Sequence, residues 1–228
     1  MAFPFVLCLI HFLLVAEVAV FTQAALTFNI SAVRQCEPFT ISFSGMPRVP
    51  EQGLSLRLVP VASTPVTIPM TASAIEAGSL NIASIPLVAG TQFIASFETS
   101  PSQPSIAELS ELITVSPSPS SDNTCLPPPS TRPRRFRLTS RNIEQCDDIQ
   151  VTYNTNLIKR APEVTVFVPK GVALQLNNTF DDPANGVARY MMSLPAGQQA
   201  MLLIDGGGGF RETSALFTGQ FGIVSSFE

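Results

Sequence analysis

LTFNISAVRQCEPFTISF, Leu26 to Phe43, has a second copy later in the chain: FRLTSRNIEQCDDIQVTY, Phe136 to Tyr153. Set one under the other, Phe28 stands on Leu138, Gln35 on Gln145, Cys36 on Cys146, Glu37 on Asp147, Ile41 on Val151 and Phe43 on Tyr153. The likeness runs on with small drifts. LRLVP, Leu56 to Pro60, answers VFVP, Val166 to Pro169, and Val88-Ala89-Gly90 before TQFIASF answers Pro195-Ala196-Gly197 before QQAMLLI. The chain is therefore one unit written twice, each copy about 100 residues long, the size of a domain rather than of a solenoid repeat.

Within each copy the apolar residues alternate, as a half-buried strand requires. Phe39, Ile41 and Phe43 share one side, as do Leu54, Leu56 and Leu58, and Phe93, Ala95 and Phe97. In the second copy Ile149, Val151 and Tyr153 repeat the pattern, then Val164, Val166 and Val168, then Val172, Leu174 and Leu176. Pro- and Gly-bearing turns separate these short runs. A helix is an option only at SIAELSEL, Ser105 to Leu112, while the equivalent RETSALFTG reads as strand. The expected fold is all-β: two tandem antiparallel β-sandwiches of the immunoglobulin-like kind, at 25–115 and 136–228. Between them 116–135, SPSPSSDNTCLPPPSTRPRR, reads as a stiff Pro/Ser-rich linker that holds the two apart.

The N-terminus sets the expected compartment. PFVLCLIHFLLV, Pro4 to Val15, is apolar and of signal-peptide length, and the small residues Thr22 and Ala24 place cleavage after Ala24. The run is shorter than the roughly 20 residues a membrane span needs. With 1–24 removed, the product is expected to be secreted and extracellular, without stable membrane insertion. Asn29-Ile30-Ser31 and Asn177-Asn178-Thr179 are then candidate N-glycosylation sites at Asn29 and Asn177.

Cysteines follow the same logic. Cys8 leaves with the signal, so Cys36, Cys125 and Cys146 remain in an oxidising compartment. Cys36 opens the first copy and Cys125 closes it, which predicts a disulfide between them. Cys146 has no such partner: its counterpart of Cys125 falls one position past Glu228, so the second copy is expected to stop short of its closing cysteine. That leaves Cys146 as a buried reduced thiol or as an intermolecular bridge in a disulfide-linked dimer, and both readings stand open.

Composition narrows the functions. Among 228 residues, 45% are hydrophobic and 13% charged, and 13 Lys and Arg against 17 Asp and Glu leave a net charge of −4. Nucleic-acid phosphates call for the opposite sign. The one His, His11, lies in the segment to be removed, so no imidazole is left for Ser-His or Cys-His catalysis, and three scattered cysteines lack zinc spacing. No cofactor or metal is expected. LLIDGGGG, Leu202 to Gly209, is like the Asp-Thr-Gly turn of aspartic proteases, but Gly206 replaces the Thr and the first copy offers Glu98-Thr99-Ser100, so a Gly-rich hairpin turn is the simpler reading. The doublets Asp147-Asp148 and Asp181-Asp182 read as solvated turns rather than calcium or glycosidase carboxylates. Of the dibasic pairs, Lys159-Arg160 falls inside a unit, while Arg134-Arg135 sits in the linker, where nicking would part the two units.

An aromatic-bearing first strand, Gln-Cys, an acidic residue, a strand ending in an aromatic, an Ala-Gly turn before an apolar strand, and a closing Cys after a Ser-rich tail together resemble a group of secreted basidiomycete fungal proteins of unknown function. The resemblance spans nearly the whole mature chain and implies fold and location, with no activity to carry over. Where that group ends its second strand in Trp and Gly-Gly, this chain has Phe43-Ser44-Gly45 and Tyr153-Asn154-Thr155. The expected function is a non-catalytic secreted or cell-wall-associated protein with a structural or binding role, its partners cell-wall glycans or other surface proteins. The alternative, a carboxylate-dependent glycan-active enzyme, requires two acids on one concave face about 5 to 10 Å apart.

Overall fold

A computed structural model describes residues 27–45, 54–98, 109–128, 134–139, 143–144 and 146–220; the segment 1–24 read as a signal peptide and residues 105–108 of the optional helix lie outside them. The first unit holds β1 (Thr27–Ile30), β2 (Phe39–Ser44), β3 (Ser55–Pro60), β4 (Val66–Pro69), a short helix α1 (Ala72–Ala77), β5 (Ser79–Ile82), β6 (Gln92–Glu98) and β7 (Ile113–Thr114). The second holds β8 (Phe136–Leu138), β9 (Asp148–Tyr153), β10 (Glu163–Phe167), β11 (Ala173–Gln175), β12 (Asn178–Asp182), β13 (Val187–Met191), β14 (Gln199–Asp205), β15 (Arg211–Thr213) and β16 (Phe217–Thr218). Each unit is a two-sheet antiparallel sandwich. Sheet β1-β2-β5 faces sheet β4-β3-β6-β7, and sheet β12-β13-β9-β8 faces sheet β11-β10-β14-β15, with β16 also on β14.

Alternation builds the cores. Phe39, Ile41 and Phe43 meet Leu56, Leu58, Phe93, Ala95 and Phe97 between the first two sheets, and Phe43 sets its ring edge-on to Phe97 at 5.1 Å. Ile149, Val151 and Tyr153 meet Val164, Val166, Leu202 and Ile204 in the second unit. Pairing corrects the sequence alignment at one place. Phe28 pairs with Phe43 and Phe136 with Tyr153, so the partner of Phe28 in the repeat is Phe136, not Leu138. Two more residues separate Phe136 from Cys146 than separate Phe28 from Cys36, and a strand's register answers to its ladder rather than to the string.

Local details also depart from the periodic reading. Leu109 to Leu112 are not helical, and RETSALFTG breaks into β15 and β16 rather than one strand. Helix α1 is set by its ends instead: the Thr71 side chain accepts from the Ala74 N–H at 3.2 Å, and Gly78 closes it at φ 61°. Six residues are too few to show a helical period.

The Pro/Ser-rich stretch does not hold the units apart. Its first half lies against the first sandwich: Ser116 N–H donates to Val33 O and Gln35 N–H to Ser116 O, Ser118 Oγ donates to Glu37, and Cys36 and Cys125 are joined. The units themselves are docked. Strands β3, β6 and β14 bury residues on both faces, and Val59, Ile94, Met201 and Leu203 point away from their own cores into a third cluster with Leu109 and Phe167. Burying each such side chain contributes about 1.5 to 3 kcal/mol, which outweighs any stiffness of a linker. Main-chain bonds frame the contact: Ala62 N–H to Ser214 O, Thr213 N–H to Ser63 O, Leu109 N–H to Gly171 O and Lys170 N–H to Ser110 O, at 2.8 to 3.0 Å. Four sheets therefore stack in one block.

Candidate functional site

The carboxylates come first, because a catalytic reading depends on them. Glu98 and Asp205 occupy matching places at the ends of β6 and β14, opposite Ser55 and Glu163. Each is taken by an arginine. Glu98 pairs with Arg57 and both side chains are buried, while Asp205 Oδ2 receives Arg211 Nε at 2.5 Å and its Oδ1 accepts from Gly207 N–H at 2.8 Å. Burial, more than the nearby Arg57 and Arg211 offset, pushes the Glu98 carboxyl up to about 7, and burial likewise lowers Arg57. The Asp-Gly-Gly-Gly-Gly run is a hairpin turn between β14 and β15, with Gly207, Gly208 and Gly209 all at positive φ.

The aspartate doublets are occupied as well. Asp147 accepts from Asp148 N–H at 2.8 Å, Asp148 from Thr179 Oγ1 at 3.1 Å, and Asp182 from the N–H and side-chain amide of Asn185. Those bonds from Asn185 hold Asp182 below the usual carboxylate range. Tyr153 Oη donates to Asp181 at 3.0 Å, and burial with that bond pushes Tyr153 up to about 12. Among the described residues no group of three or more His, Cys, Asp and Glu is placed to hold a metal ion.

Among the described residues the fold opens two matching clefts, one on the side of each sandwich where its first and last strands approach. In the first unit a cleft of about 670 Å³ lies between β1 and Leu109–Thr114. Thr27, Asn29, Ser31, Ser110, Thr114 and Ser116 line it with hydroxyls and an amide, and its two charged side chains, Glu111 and Lys170, are exposed and paired at 3.1 Å. Its counterpart in the second unit, about 510 Å³, lies between β8 and Glu212–Phe217 and has a more apolar wall of Phe136, Leu138, Ile204 and Phe217. Apart from the Glu111–Lys170 ion pair the polar lining of the first cleft is neutral, although the Ser31 and Ser110 hydroxyls already bond the backbone. A neutral lining suits a neutral hydroxylated molecule.

The remaining sequence candidates fall on the surface. Asn29 and Asn177 are both exposed, Asn29 within β1 and Asn177 just before β12. Cys146 is exposed and unbonded, which corrects the buried-thiol reading: the cysteine of the repeat takes the same left-handed backbone in both copies, φ 56° at Cys36 and 64° at Cys146, but only Cys36 has a sulfur to cover it. The Arg134-Arg135 pair is engaged, with Arg134 donating to Ala62 O at 3.3 Å and the Arg135 guanidinium 4.7 Å from the Phe210 ring centre. Sequence reasoning missed the Arg57–Glu98 pair and the exposed Phe180 and Met191, although Arg57 inside an apolar run was a visible signal. Among the described residues no helix is long and apolar enough to cross a membrane.

No family model matches the chain, and no curated protein matches it. Solved structures to which the chain is similar include the BSP domain of a biofilm-associated protein, at 11% identity and TM-score 0.28 over 87% of this chain and 30% of that one. They include the FN1–FN3 domains of chicken CNTN1, at 8% identity and TM-score 0.25 over 83% of this chain and 64% of that one. A third is SGBP-B of the Bacteroides ovatus mixed-linkage glucan utilization locus, solved with a mixed-linkage heptasaccharide, at 9% identity and TM-score 0.26 over 87% and 44%. The chain spans less than two thirds of each of these.

Proposed function

We propose that the protein is a non-catalytic extracellular module, secreted or held at the cell wall, that binds neutral glycan through the hydroxyl-lined cleft of its first unit. The observation that carries this reading is that cleft, whose polar lining is neutral apart from the paired Glu111 and Lys170, in a molecule whose carboxylates at the matching strand ends are each tied to an arginine. Saccharide hydroxyls are recognised by such convergent donors and acceptors. The docked sandwiches support a binding role further, since a rigid block presents the cleft with little ordering cost. Secretion and kinship with the fungal group are parts of the same proposal and rest on the N-terminal segment and the repeat pattern.

Retention on insoluble cell-wall polysaccharides tests it, alongside release of reducing sugar from the same materials. The expected result is saturable retention with no sugar released, weakened at least tenfold by Thr114→Arg at an exposed position of the cleft wall. Sugar release that disappears in Glu98→Gln or Asp205→Asn would replace this reading with a carboxylate-dependent enzyme. Absence of retention on every wall polysaccharide would remove the binding role.

A further inference from the structure

Before β13 the second unit carries a strand, β12, where the first has only α1, and the sequon Asn177-Asn178-Thr179 spans its start. Residues two apart on a strand share a face, so Asn177 and Thr179 point together. The face is the outer one: Thr179 Oγ1 donates to Asp148, which is exposed while the next residue, Ile149, is in the core. In a regular strand Phe180, three positions after Asn177, would turn inward. A register shift between Asn178 and Phe180 turns it outward instead, opposite Arg189, whose guanidinium lies 5.4 Å from the ring centre. Met191, two residues beyond Arg189 on the same face, donates its N–H to Asn177 O at 3.1 Å. Phe180 and Met191 are 47% and 49% exposed, two large apolar side chains set beside a glycan acceptor.

We propose that Asn177 is N-glycosylated and that the first N-acetylhexosamine of that glycan packs on Phe180 and Met191, so that this outward face is the seat of the protein's own sugar. A pyranose ring has an apolar C–H face that lies flat on an aromatic ring, and Arg189 holds the ring in place while offering donors to the sugar's hydroxyls. The other acceptor lacks such a seat. Asn29 lies within β1 opposite Ser42, a hydroxyl rather than a large apolar side chain. The modification itself is a displacement at carbon. Asn177 Nδ2 attacks C1 of a saccharide carried on a lipid diphosphate. The C1–N bond forms as the C1–O bond breaks, the diphosphate leaves with the bonding electrons, and the amide proton passes to a base of the transferase. The inference rests on the proposed passage through a secretory route.

The test uses the full chain with its own N-terminus, expressed in a eukaryotic secretory host. Secreted protein is treated with a glycan-releasing amidase in heavy-oxygen water, which converts a glycosylated Asn to labelled Asp for peptide mass mapping. Melting is then compared for intact protein, protein trimmed to a single sugar by an endoglycosidase, and fully deglycosylated protein. Label at position 177 is expected, with the trimmed form melting as the intact one does and the bare form melting about 2 to 4 °C lower, the scale of a lost apolar contact in a chain of this size. In Phe180→Ala, and separately in Met191→Ala, most of that difference is expected to vanish. Secreted protein with unlabelled Asn177, or an undiminished melting difference in both variants, overturns the inference while leaving the secretory reading intact. A chain retained in the cytosol without glycan overturns both.

Discussion

Two copies of one sequence pattern have become two sandwiches that differ in how they are fastened. The first closes with a disulfide from Cys36 to Cys125 across 89 positions and keeps its charged pair, Arg57 and Glu98, buried. The second leaves Cys146 exposed, keeps its pair, Asp205 and Arg211, only partly buried at 15% and 23% exposure, and spends the stretch before β13 on an added strand where the first has only α1. What they share is backbone: Phe43 N–H donates to Gly78 O and Tyr153 N–H to Gly186 O, both at 2.8 Å, and both glycines are left-handed. A repeat therefore preserves ladder geometry, while covalent closure, charge and edge strands diverge.

The comparison can be broken most forcefully at the buried pair. Arg57→Ala leaves the Glu98 carboxylate buried without its ion-pair partner, a loss of about 3 to 5 kcal/mol in urea unfolding, whereas Arg57→Met with Glu98→Leu is expected to come close to wild type. Arg211→Ala removes the less deeply buried pair and is expected to cost less. Equal losses from the two arginines would erase the distinction. The same carboxyl gives a pH signature. Because Glu98 sits near 7 in the folded protein, above the 4.5 of the free side chain, the native state takes up the proton first. Stability should rise as pH falls through 7 and level off near 4.5, and thermal melts of Glu98→Gln should lose this part of the slope.

Removing the disulfide with Cys36→Ser and Cys125→Ser comes next, at about 4 kcal/mol by loop entropy for a closure of this length. Cys146→Ser is expected to leave the unfolding midpoint unchanged, since that thiol touches no core. A large loss there would mean that the second unit depends on its cysteine as the first does.

The shared glycines offer a finer contrast. A Cβ at Gly186 would sit 2.2 Å from Tyr153 O, and one at Gly78 2.9 Å from Phe43 O, while at Gly90 and Gly197 it would meet nothing within 4 Å. Gly186→Ala should cost the most, Gly78→Ala less, and Gly90→Ala and Gly197→Ala only the left-handed backbone penalty of about 1 kcal/mol. Chemical denaturation of the four variants ranks them, and a ranking led by Gly197 would show that the two turns are not built alike.

The strands were legible because alternation is a local property: Phe39-Ile41-Phe43 and Ile149-Val151-Tyr153 each declare which face is buried. The role of Asp205 was legible in the same way, since four glycines in a row suit a turn and not a catalytic loop. The first cleft was not, because its walls, Asn29 and Ser31 on one side and Ser110 and Thr114 on the other, are distant in sequence and meet only when the two sheets close. Nor was Phe180, whose outward face depends on a single register shift.

By itself the sequence determined the doubling of the unit, the antiparallel strands and the closure of Cys36 on Cys125, because each depends on spacing along one copy. Tertiary structure alone decided that Val59, Ile94, Met201 and Leu203 face a second sheet instead of water. An apolar residue between two others reads equally as the far side of a strand and as a join. Only the meeting of two such faces removes that surface from water, and that free energy belongs to neither copy alone.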